Sequence, residues 1–159
     1  MNAAGRLGET GVASAACLGH RPYIERCKQA REEFRDQVRS GLLSLEERGT
    51  ERLDNIQWFE PPARHIAGPL AGLGMIYLFP KDVPVLSLYV DGPTLSVSAR
   101  ATDRLVEAGV DMAYAMQVAA NEVDGRGGGH PVASGATVPA ERREDFVSRV
   151  DNIVGEQTA

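Results

Sequence analysis

From residue 23 to about residue 48, Ile24, Cys27, Phe34, Val38, Leu42 and Leu45 recur on one stripe of a 3.6-residue period, and charged residues fill the rest. That pattern predicts one long helix of about 40 Å at about 1.5 Å per residue, packed along a domain by a single narrow face. Gly49 is its predicted stop and Gly41 a weak point inside it. A coiled-coil seam is the sharper alternative, but it needs more heptads than this and is broken by Arg31.

The patterning then changes period. Residues 55–59 read as a short strand closed by Pro61 and Pro62, and residues 66–78 as a buried helix with Pro69 in its first turn. In that helix Gly68, Gly72 and Gly74 are expected to let another backbone approach closely. His65 just before it reads as an exposed loop histidine, a helix cap or a ligand contact. Residues 83–90 are an almost continuous apolar run, which predicts an interior strand, and Asp91-Gly92 signals a hairpin turn. Residues 95–100 return in strict alternation: Leu95, Val97 and Ala99 on one side, Ser96, Ser98 and Arg100 on the other. The polar side is either a solvated face or two hydroxyls and a guanidinium presented to a ligand.

Thr102 and Asp111 are placed to cap two helices, the first ended by Gly109 and the second carrying Met112, Met116, Ala119 and Val123 on its core face. Residues 134–138 read as a strand, Pro139 as a helix start, and Phe146, Val147, Val150, Ile153 and Val154 as the apolar face of a last helix. The expected fold is α/β: a mixed sheet of four or five strands with packed helices, preceded by the long connector helix.

Composition narrows the chemistry. The 159 residues carry 17 Lys and Arg against 22 Asp and Glu, for a net charge of −5. Domains that hold nucleic acid by bulk electrostatics are usually basic, so any polyanion must be met by a local positive pocket. Only Lys28 and Lys81 are lysines. Arg suits bidentate phosphate contacts, although genome composition or a salt-adapted surface gives the same bias. Cys17 and Cys27 have no metal-binding spacing and read as two buried, reduced thiols of an intracellular protein. The longest uncharged apolar run, residues 66–79, is too short to cross a bilayer, and the start lacks the order of a signal peptide. A cytoplasmic protein with no membrane partner is expected.

The most informative stretch is Gly125-Arg126-Gly127-Gly128-Gly129-His130, continuing to Ala136. A triple glycine is often a flexible linker. Here it lies between two patterned segments, and as a loop it would expose successive amide groups to an anion. Arg126 and His130 add a fixed charge and a titratable donor, as a phosphate requires.

GRGGGHPVASGATVP, VSARATDRLVEAGVDMAYAMQVAANEV upstream of it and NAAGRLGETGVASAACLG at the start together resemble the DHH-family phosphoesterases. The similarity is to the C-terminal DHH-associated domain, in particular that of archaeal RecJ-like single-strand nucleases. Ser134 stands where that family more often has Ala. The resemblance implies three parts: residues 1–20 as the end of a catalytic domain, 21–50 as the connector helix, and 51–159 as a substrate-binding domain. On this view the chain is the back half of a longer enzyme and Met1 is not its natural start. The implied substrate and phosphate contacts are Ser98, Arg100, Arg126, Gly127, Gly128, Gly129 and His130, with single-stranded DNA or RNA as ligand and replication proteins as further partners. Two other readings follow from the same resemblance, a small-nucleotide phosphodiesterase and a replication-protein docking module. Alanyl-tRNA synthetases carry a similar domain, but the His after three glycines looks more like the phosphoesterase form.

No catalytic residue is expected in this chain. It has no Asp-His-His, Asp-x-Asp or HExxH, and no Gly-Lys-Ser/Thr follows the glycines. Manganese or magnesium is implied only for the catalytic domain, and the isolated chain is predicted not to hydrolyse phosphodiesters.

Overall fold

A computed structural model describes residues 2–158. Helix α3 (Arg21–Arg48) takes shape where its stripe predicts, with Pro22 in its first turn and Gly49, at φ 73°, ending it. The weak point expected at Gly41 is instead a contact. A Cβ there would lie 2.9 Å from the Leu70 side chain, so the missing side chain is what lets helix α4 (Arg64–Tyr77) cross α3. Helices α1 (Asn2–Arg6) and α2 (Thr10–Cys17) fold back on the first half of α3, where Ala4 and Ala30 are buried and Arg26 pairs with Glu9 and Glu33. Cys17 is exposed and Cys27 half-buried, so the expectation of two buried thiols fails. Cys17 ends α2, none of whose residues is buried, and Cys27, on the apolar stripe of α3, is only partly covered, with its Sγ 3.9 Å from the Val12 carbonyl oxygen.

The sheet has six strands in the order β1-β2-β3-β4-β6-β5, against the four or five expected. Strand β1 (Glu51–Arg52) is two exposed residues with no apolar pattern to announce it, and it pairs with β2 (Gln57–Phe59). Strands β2 and β3 (Val85–Asp91) are the parallel pair, and α4 is the crossover between them. β3 then turns at Gly92 into β4 (Thr94–Arg100), which pairs with β6 (Ala133–Pro139); β6 in turn pairs with β5 (Arg126–His130). The strand foreseen at 83–90 begins two residues later.

Helix α4 packs on one face of β3 and β4. Helix α6 (Met112–Asn121) lies against β5 and β6 and packs on α7 (Arg143–Thr158). Leu95, Val97 and Ala99 are buried in the core with Met112, Met116, Ala119 and Val123, and the apolar face foreseen on α7 is buried as well. Thr102 accepts from the Leu105 amide to start α5 (Asp103–Glu107), and Asp111 accepts from the Tyr114 amide to start α6. Among the described residues, no helix is long and apolar enough to cross a membrane.

Asp151 ties the last helix to the first turn of the sheet. Its buried carboxylate accepts from the backbone amides of Asn55 (2.8 Å) and Ile56 (3.1 Å) and from the Asn55 side chain (3.4 Å). Replacing Asp151 by Ala strands two main-chain donors and should lower unfolding free energy by about 2–4 kcal/mol in urea titrations.

Candidate functional site

The polar side of β4 is half-covered rather than open to water. Ser98 and Arg100 lie under α4, which presents two glycines one turn apart, and the guanidinium occupies the space their side chains would fill. A Cβ on Gly68 would meet Arg100 Nη2 at 3.2 Å, and one on Gly72 would meet Nε at 3.8 Å. The close approach expected at these glycines is therefore made by a side chain, not by a backbone; at Gly74 the ring of Phe79 fills the space.

Arg100 is only partly exposed and spends one N–H on the Ala99 carbonyl at 2.7 Å. Burial, and then the charge of Arg6, pull its pKa below the ordinary arginine value. Among the described residues neither Arg100 nor Arg6 has a carboxylate partner. Arg64, at the rim, has Nη1 3.8 Å from Asp91 Oδ2.

Arg6, Arg64, His65, Gly68, Ser98 and Arg100 line a cavity of about 460 Å³. Three guanidinium groups, an imidazole and a hydroxyl converge there with no carboxylate among them. A half-buried cation without a counter-charge is costly, and an anion with several acceptor oxygens relieves that cost while satisfying the free N–H groups. A neighbouring space of about 510 Å³ between α3 and α4 shares His65 but lacks this concentration of charge.

The glycine run is not the loop anticipated from its composition. Residues 126–130 are strand β5, at the sheet edge. Gly127 is required by packing, since a Cβ there would lie 2.1 Å from the Met116 carbonyl oxygen of α6. Gly128 and Gly129 have φ of 150° and 142°, values that only glycine adopts readily. Gly129 is also crowded by Ser134 Cα at 2.7 Å. Composition signals backbone freedom; it does not say whether the freedom serves a loop or a tight sheet.

Register fixes where the anticipated contacts lie. Arg100, Ala133 and His130 stand opposite one another across β4, β6 and β5, and Ser98, Gly135 and Gly128 form the next row on the same face. At about 4.8 Å per strand, His130 is about 10 Å across the sheet from Arg100. Small residues alone stand between. Arg126 is set apart: it pairs with Thr137, opposite Ser96, about 13 Å further along the strand, and borders a separate depression with Thr94 and Asp124. Arg64 is the member of the cavity that the linear pattern does not single out. His65 lies within the first turn of α4 rather than in a loop or at the cap, with Nε2 hydrogen-bonded to Gln37 and its ring 6.3 Å from that of Phe34. The Gly68-x-x-x-Gly72 spacing, which bares one side of a helix, is the signal that points to this place.

Among the described residues no group of three or more His, Cys, Asp or Glu side chains is placed to hold a metal ion. The two-metal site that the family resemblance implies is one of the catalytic domain, and the described residues of this chain offer no ligand set for it.

The model of the DHHA1 domain matches residues 69–156. The uncharacterized protein MJ0831 of Methanocaldococcus jannaschii is 35% identical over 158 residues, covering 99% of this chain and 34% of that protein. This chain thus spans about a third of the length of that relative. RecJ from Thermus thermophilus, in a crystal structure with Mn2+, superposes with a TM-score of 0.75 at 17% identity, over 98% of this chain and 23% of that one. CDC45 from Entamoeba histolytica does so at 0.58 and 10% identity, over 86% and 30%. At such identities the two superpositions speak to the fold.

Gly127→Ala should lower unfolding free energy by about 1–3 kcal/mol, because α6 must shift to admit the methyl group. His130→Ala, at an exposed position, should change it by less than about 0.5 kcal/mol in the same thermal or urea titration.

Proposed function

This chain belongs to the DHHA1 domain family and is DHH-family, RecJ-like in fold, and we propose that it holds the phosphate-bearing end of a single nucleic-acid strand for a phosphodiesterase of which it forms part. The observation that carries this reading is Arg100: a guanidinium half-buried under α4, with Arg6 and Arg64 around the same cavity and no acid against it. In the proposed complex a terminal phosphate accepts from Arg100, Arg6 and the Ser98 hydroxyl. The strand then crosses the low floor of Gly135 and Gly128 towards His130, and Arg126 meets a later phosphate.

Such contacts neutralise and orient the backbone without reading bases. They also suit a protein of net charge −5, because the attraction is confined to one cavity and does not depend on the field of the whole surface. Residues 1–20 are proposed to close a DHH catalytic domain that brings Arg6 to the site, 21–50 to connect, and 51–159 to bind substrate. Cleavage, and the manganese or magnesium it uses, belong in this proposal to the rest of the longer protein. Replication proteins remain proposed partners through surfaces outside the cavity, and the cytoplasm the proposed compartment.

Fluorescence-anisotropy titration with single strands of increasing length tests the reading. Arg100→Ala should weaken binding by about ten- to a hundred-fold, as expected for loss of charge-assisted hydrogen bonds. It should also flatten the salt dependence by about one phosphate contact. Gly68→Ala should weaken binding too while leaving Tm unchanged or raised, because alanine favours the helix but crowds the guanidinium. Equal affinity of wild type and Arg100→Ala would overturn the proposal. Affinity that stops growing at a few nucleotides would favour a small-nucleotide phosphodiesterase, and binding of a replication protein indifferent to Arg100→Ala a docking module.

A further inference from the structure

Pro69 lies inside α4, not in its first turn, because the helix begins at Arg64. A residue with an amide hydrogen at position 69 would donate to the carbonyl of residue 65, one helical turn back; proline cannot. The orphaned His65 carbonyl is the atom that Arg6 reaches, with Nη1 at 3.5 Å across a sequence separation of 59 residues. The Arg6 guanidinium also lies over the Phe34 ring, 5.9 Å from its centroid. Phe34 in turn packs against the His65 ring, whose Nε2 is fixed by Gln37 of α3.

Arg6 needs such holding. It is exposed, sits on a helix of five residues, and is repelled by Arg100 across the cavity. Without an acceptor on the α4 side it would turn outward to water.

We propose that Pro69 is a positioning residue for the anion cavity. By withholding its amide hydrogen it leaves the His65 carbonyl free to accept from Arg6, which keeps the third guanidinium beside Arg100. The inference rests on the anion-binding reading above and adds to it a specific role for a backbone carbonyl in α4. It also gives the proline inside this helix a reason to persist despite its effect on helix stability.

Alanine at position 69 supplies the missing N–H, and the helix then claims the carbonyl for itself. In the full chain, Pro69→Ala should leave Tm unchanged or raised and weaken binding of a terminally phosphorylated single strand about three- to ten-fold. Arg6→Ala should produce a loss of the same size, and the double variant no more than either single one. A purely structural role for Pro69 would instead lower Tm and give additive losses, which would overturn the inference. Arg100→Ala separates the two levels. If it weakens binding while Pro69→Ala and Arg6→Ala do not, the cavity reading stands and the positioning role falls. If all three bind as wild type, both fall.

Discussion

A guanidinium held between a sheet and a helix with no carboxylate to answer it is the constraint that organises this molecule. Arg100 projects from β4 into space that α4 leaves open at Gly68 and Gly72. That placement requires α4 to lie across β3 and β4, which the parallel β2-α4-β3 crossover ensures. It also requires α3 to grip α4 from outside, through the contact of Leu70 with the bare Gly41. Long helix, crossover helix and hairpin thus form one stack whose inner surface carries a partly desolvated positive charge. The cost of that charge is offset by close packing elsewhere: β3 is buried on both faces, and Leu95, Val97 and Ala99 sit in the continuous core beneath α6 and α7.

The other half of the sheet solves a different problem. Strand β5 must lie so close to α6 that any side chain at position 127 would strike the Met116 carbonyl. Glycine there is a packing requirement first. The same choice leaves the opposite face of β5 and β6 low, because Gly128, Gly135 and Ala133 are all that stand between the Ser98–Arg100 edge of β4 and His130. One composition therefore serves the core on one side and a shallow channel on the other. Arg126, adjacent in sequence to the glycines, is carried to the far end of the strand because side chains along a strand separate by about 3.3 Å per residue whatever their common motif.

Electrostatics divide the molecule in a similar way. The acidic excess is spread over exposed helix flanks, where pairs such as Lys28 with Glu25 and Arg142 with Asp145 are mutually screened and contribute little to stability. The cavity gathers three arginines, of which Arg100 is half-buried without a carboxylate partner, so that its charge counts for more than one on the open surface. Net charge and local potential thus have opposite signs, as suits a site that selects one end of a polyanion over its whole length.

The amino-acid sequence alone determined the elements whose driving force is local. The stripe of α3, the alternation of β4, the Asp91-Gly92 turn, the caps at Thr102 and Asp111 and the apolar face of α7 depend on periodicities of 3.6 and 2 and on side chains bonding their own neighbours. Family resemblance added Ser98, Arg100 and the Gly-Gly-Gly-His run as a set. Tertiary structure alone decided that this run is an edge strand and that β1 exists, because both depend on pairing partners far along the chain. It alone brought residues 6, 64 and 100 to one cavity, set Arg126 apart, and gave Pro69 an orphan carbonyl to leave open. Those outcomes follow from how α1 and α4 pack across α3 and the sheet, and no local period encodes the distance between residues that meet only after the chain has crossed itself.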